Sequence, residues 1–136
     1  MATYNKFQDF VEQLGLGTHN LNTDTLKVML TNTAPVATNT VKTDITEISA
    51  GNGYTAGGDD ITNTYTESSG TGTLAATDVT FTASGGAIGP FRYAVIYNDT
   101  AASDNLVCWF DYGSSITLND TETFTVDFGA SLATIV

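Results

Sequence analysis

The chain has 136 residues and sets fifteen acidic side chains against four basic ones, a net charge of −11. That length points to one domain large enough for an apolar core, residues 1–136 without a linker. The charge leaves almost nothing to neutralise phosphates, which excludes direct nucleic-acid binding and disfavours anionic membrane surfaces.

Along the chain, Phe7, Phe10, Val11 and Leu14 recur at helical spacing, with Lys6, Asp9, Glu12 and Gln13 on the other side. The spacing predicts a helix over 3–14, started by Thr3 and ended at Gly15. It serves either to close one end of the core or to dock on a neighbouring subunit. The opening MATYNKFQDF has neither the basic leader nor the apolar stretch of a signal peptide. Nor does any apolar run approach the roughly 20 residues that a membrane-spanning helix needs.

After the polar connector GLGTHNLNTDT, whose His19 reads as solvated, Thr25 to Thr31 alternates as a strand. Pro35 marks residues 32–43 as loop, residues 44–49 fit a helical turn or a strand, and AGNGYTAGGDD reads as a glycine-rich excursion. Threonine-rich strands are expected near 60–67, 71–75 and 78–83, separated by small polar turns. Beyond the central stretch come a short strand 115–118 and another within 122–128, and the apolar residues Leu132, Ile135 and Val136 predict a docked terminus.

The bulk lies in 85–112, GGAIGPFRYAVIYNDTAASDNLVCWFDY, which holds the only Trp, Cys and Arg. Two long strands joined by a loop of Asn, Asp and Ser are expected here. Pairing Tyr97 with Leu106 sets Val95 against Cys108, Tyr93 against Phe110 and Phe91 against Tyr112. The second face then sets Ile96 against Val107, Ala94 against Trp109, and Arg92 against Asp111 as an opposite-charge pair. Ile96, Val107 and Trp109 are too apolar for an open sheet face, so the helix or another subunit should cover them. With Phe7 and Phe10 they are the candidate interface residues.

About eight short strands with turns every eight to twelve residues and one helix predict a mainly β, antiparallel sandwich of jelly-roll type. The helix would occupy 3–14 and the sandwich 25–136.

Reactive groups are sparse. One His and one Cys, far apart, support neither a nucleophile–base pair nor a zinc site, and AGGDD lacks the Lys of a phosphate loop. Asp59 and Asp60 are adjacent, so a strand would aim them oppositely. Calcium is the one ion with any support, through loop acids Asp59, Asp60, Asp99 and Asp104, yet no calcium-loop spacing occurs. Cys108 reads as a buried, inert thiol. Trp109 and the tyrosines could form a sugar-stacking platform, though the ladder makes them core or interface residues more readily. Catalytic, cofactor and metal residues are therefore expected to be none.

Two blocks carry a resemblance. YNKFQDFVEQLGLGTHNLNTDTLKVMLTNTAP, and GGAIGPFRYAVIYNDT through WFDYGSSITLNDTETFTVDF, resemble small virion proteins of tailed bacteriophages, of the capsid decoration (cement) or head structural type. The resemblance implies a non-enzymatic protein, held to the capsid protein by protein–protein contacts and frequently trimeric. Its place would be the virion. A carbohydrate- or receptor-binding module and a tail or neck component are the alternatives.

Overall fold

The computed structural model describes residues 2–136. Ten strands and one α-helix follow one another: β1 (Thr3–Lys6), α1 (Asp9–Gly15), β2 (Leu26–Thr31), β3 (Asp59–Ile61), β4 (Asn63–Ser68), β5 (Thr71–Ala76), β6 (Val79–Thr82), β7 (Ile88–Asn98), β8 (Leu106–Leu118), β9 (Thr123–Val126) and β10 (Ala133–Ile135). The fold is an antiparallel β-sandwich. One layer is a five-stranded sheet in the order β1-β8-β7-β2-β3; against it pack the sheet β10-β5-β4 and the pair β6-β9. A short 3₁₀ turn, Lys42–Asp44, stands where a turn or strand was expected slightly later.

The interior between the layers gathers Leu26, Val28, Leu30, Ala94, Ile96, Cys108 and Phe110 from the large sheet with Leu74, Phe81, Val126 and Phe128 from the opposite side. A second cluster, on the outer face of the same sheet, holds Phe7, Met29, Tyr93, Val95, Tyr97, Leu106 and Trp109, with Ala37 and Ile45 packed against it. Alternation along β2, β7 and β8 thus feeds two cores, because both faces of these strands are apolar.

The expected ladder holds at Tyr97–Leu106 and then fails by one residue. Ile96 pairs with Cys108, Val95 with Trp109, Ala94 with Phe110 and Tyr93 with Asp111. Val107 is the extra residue of a bulge, and its carbonyl accepts the backbone N–H of Phe7 at 3.2 Å. The slip moves Cys108 and Phe110 onto the face of Ala94 and Ile96, and moves Trp109 onto that of Tyr93 and Val95. Ile96 and Trp109 therefore belong to opposite faces, not to one. A further shift between Phe91 and Tyr93 lets β8 run on to Leu118, so the short strand expected at 115–118 is its continuation.

The N-terminus differs more. Residues 3–6 are an edge strand paired with β8, Tyr4 opposite Phe110 and Lys6 opposite Cys108, so the sandwich begins at Thr3 and not at residue 25. Pairing with an otherwise unsatisfied strand outweighs the helical spacing of the side chains. The helix starts only at Asp9 and ends beyond Gly15, at Gly17. There φ is +82°, and the N–H groups of Gly17 and Thr18 reach the carbonyls of Leu14 and Gln13 at 3.3 and 2.9 Å.

That helix does not cover the outer face. The long segment 32–58 does, with Phe7 at the turn between β1 and α1. Ala37 accepts from the Gln8 N–H at 2.9 Å, Thr40 from the Leu106 N–H at 3.0 Å, and Gly57 from the Tyr97 hydroxyl at 2.6 Å. Gly58 closes the segment at φ +80°, where an added Cβ would lie 1.8 Å from the Val28 carbonyl oxygen, so only glycine fits.

Trp109 is 9 % exposed and stacks on Phe7 with ring centroids 4.5 Å apart. Because its cover comes from its own chain, Trp109→Ala should lower unfolding stability by about 3–5 kcal/mol without changing the oligomeric state. Denaturant titration and sedimentation velocity on the same samples check this; a change in mass with unchanged stability would contradict it.

Candidate interaction site

The groups that could carry chemistry are each engaged in holding the fold. Arg92 makes a two-pronged contact with Asp111, Nε to Oδ1 at 2.9 Å and Nη2 to Oδ2 at 3.2 Å, and its guanidinium lies over the Tyr93 ring. The pair forms although the predicted ladder does not, because Arg92 sits at the register shift and reaches the neighbouring position. Arg92 and the Gly113 N–H hold the Asp111 carboxyl below its usual range. Cys108 is buried in the interior, which pushes its thiol up.

Asp59 and Asp60 lie in β3, not in a loop. Lys27 pairs with Asp60 at 3.1 Å, while burial raises Asp59. Among the described residues no three His, Cys, Asp or Glu side chains gather into a group that could hold a metal. Glu47 ties the covering segment together: its Oε2 accepts from the Tyr54 hydroxyl at 2.6 Å and the Gly57 N–H at 2.7 Å.

His19 is the largest departure among the polar residues. Rather than solvated, it is 6 % exposed, beside Phe10. Asn98 Nδ2 donates to its Nδ1 at 2.9 Å and to Asp24 Oδ2 at 2.7 Å, while Asn98 Oδ1 accepts from the N–H groups of Thr100 and Ala101. These bonds fix the amide's orientation, so Nδ1 is the acceptor and Nε2 carries the proton. Nε2 is buried without a partner. Burial lowers the imidazole pKa against the opposing pull of Asp24 and Asp9. A single His in a polar connector gives no sequence sign of this; its partner Asn98 lies at the far end of β7.

Four of the five candidate interface residues are away from the surface, and the fifth, Phe10, lies at the floor of a cleft. Phe7, Phe10, Ile96 and Val107 are at most 2 % exposed and Trp109 is nearly buried, divided between the two cores. The uncovered apolar surface lies elsewhere, on the open side of the sandwich. A cleft of about 610 Å³ runs between β1 and β10 with α1 beside it. Tyr4, Phe10, Val11, Leu14 and Phe110 form one part of its apolar lining, and the C-terminal segment another; Tyr4 and Val11 are 40 % and 56 % exposed. A shallower hollow with Tyr112, Asp127 and Phe128 adjoins it and shares Phe110. Burial, with Asp127 nearby, pushes the Tyr112 hydroxyl up to about 12.

Val11 was legible in the sequence as part of an apolar stripe. The docked apolar terminus expected from Leu132, Ile135 and Val136 holds for Leu132, buried, and for Ile135, in the cleft, but Val136 is fully exposed; that Tyr4 stands beside this terminus only the folded chain shows. Compared with family models, curated proteins and solved structures, the chain matches none, so its sequence and geometry carry the functional reading.

The His19 arrangement has a consequence for pH. A histidine whose native pKa is lowered is protonated first in the unfolded chain. Its contribution to stability is therefore complete above the ordinary value of 6.5 and is lost as the pH falls through the lowered native value. Protonation would also place a second donor against Asn98 Nδ2. His19→Gln should flatten the decline of unfolding stability on acidification, measured by urea titration over a pH series. Parallel pH profiles for the two chains would contradict this.

Proposed function

We propose that this chain is a non-enzymatic structural protein of a tailed-bacteriophage particle, attached to the outside of the head by contact with the capsid protein. The phage assignment rests on the resemblance carried by residues 4–35 and 85–128. The mode of action rests on one observation: a cleft of about 610 Å³ with a mainly apolar lining sits at the open side of the sandwich, between two strand edges. Such a surface suits association with another protein. Consistent with a role without catalysis, His19, Cys108, Glu47 and Arg92 are each committed to hydrogen bonds or burial that hold the fold.

A sugar-stacking module built on Trp109 has less support, because that indole is covered by Phe7 and the 32–58 segment. Self-association into a trimer is what the resemblance implies. The five residues expected to drive it lie inside the chain, and each copy would bring a charge of −11 to the contact. Attachment to a different protein is the simpler reading. No helix among the described residues is long and apolar enough to cross a membrane, in keeping with a particle component.

Mixing the purified protein with heads lacking it, and separately with isolated tails, tests the proposal. Saturable co-sedimentation with heads is expected. Binding to tails alone would move the protein to the tail or neck, and binding to neither would remove the particle reading.

A further inference from the structure

The cleft is lined unevenly, and the unevenness indicates what fits it. From β1 only alternate residues, Tyr4 and Lys6, reach the cleft, so that strand presents side chains from one face. From the C-terminal segment every residue from Ser131 to Ile135 lines it in succession. For Ala133–Ile135, which are strand, this succession fits a wall formed by the backbone edge. β10 pairs with β5 on one side and has no strand on the other. Its free peptide groups therefore stand along the cleft, above the side chains of Phe10, Val11, Leu14 and Phe110.

We infer that the cleft takes an extended segment of a positively charged partner protein, added as a strand to the free edge of β10. Main-chain hydrogen bonds along an open edge, with alternate side chains dropping into apolar pockets, are the mode such geometry serves. The segment carries apolar residues at alternate positions, directed onto Val11, Leu14 and Phe110. Its basic residues lie at its ends, because Lys6 stands in the cleft without a carboxylate partner and repels a cation at the centre.

Charge decides between this occupant and a second copy of the chain. The molecule carries −11, Glu12 follows Val11 on α1, and Asp127 lines the adjoining hollow. A second copy brings the same charge to the contact, whereas a basic partner is drawn to it. Among the described residues, the large exposed apolar side chains outside the cleft, Leu16, Val36 and Val136, are also scattered singly and form no alternating strand that could be donated.

The inference specifies the contact of the proposed attachment but rests on the cleft alone, so the two can fail separately. A soluble probe is the peptide Lys-Lys-Thr-Val-Thr-Val-Thr-Val-Lys-Lys, with two controls: one of the same composition with its three valines consecutive, and one flanked by glutamates. Titrated into the full chain, the probe should bind more tightly than either control. It should slow hydrogen exchange at Ala133–Ile135. Val11→Lys, at a position 56 % exposed, should weaken binding about tenfold or more by setting a cation in the cleft while leaving the unfolding midpoint in place.

Absence of binding at millimolar peptide, equal binding of the controls, protection at other strands, or indifference to Val11→Lys would each overturn the inference. So would self-association of the chain that protects the same amides, which would assign the cleft to a second copy. A chain that takes the peptide and ignores heads and tails would sink the particle reading and leave the strand-addition site standing.

Discussion

Burial on both faces of the β7–β8 ladder governs the arrangement of everything else. Ala94, Ile96, Cys108 and Phe110 point one way; Tyr93, Val95, Tyr97 and Trp109 point the other, and all are buried. A sheet in a simple two-layer sandwich hides one face and wets the other. Here the inner face takes the strands β4, β5, β6, β9 and β10, and the outer face needs a separate cover. Segment 32–58 provides it with little regular structure of its own, pinned by backbone bonds to Gln8 and Leu106 and by the Tyr97 hydroxyl. A long loop in a small domain is then a structural part, since removing it would expose an aromatic face.

Hydrophobic alternation made the hairpin, its two apolar faces and the run of threonine-rich strands legible in the sequence. It could not show the bulge at Val107, because one unpaired residue leaves each strand's own alternation intact while shifting all partners beyond it. Arg92 and Asp111 still meet, as a long side chain can reach across one position. Residues 3–6 misled for a different reason: Phe7, Phe10 and Val11 do have helical spacing, yet β8 needs a partner along its outer edge, and the chain supplies Thr3–Lys6. The outer cover was illegible because polar loop composition says nothing about where a loop lies. His19 was illegible because its environment comes from Asn98 and Asp24, distant or unremarkable in sequence.

What remains open is the side where the chain's two ends meet. The edge strands β1 and β10 are short, and they border one apolar cleft. An open edge is a liability that proteins ordinarily blunt. The strong negative charge of the chain acts in that sense against copies of itself. The same charge would draw a basic partner to the edge, as the proposed strand addition requires.

If the doubly buried hairpin organises the molecule, it must also be the last part to open. Native-state hydrogen exchange measures this directly, since amides that exchange only through global unfolding report the full stability. The slowest exchange is expected at Val95–Ile96 and Cys108–Phe110, with β1 and β10 opening at far lower free energy. Exchange through the β7–β8 amides as fast as through β10 would contradict it.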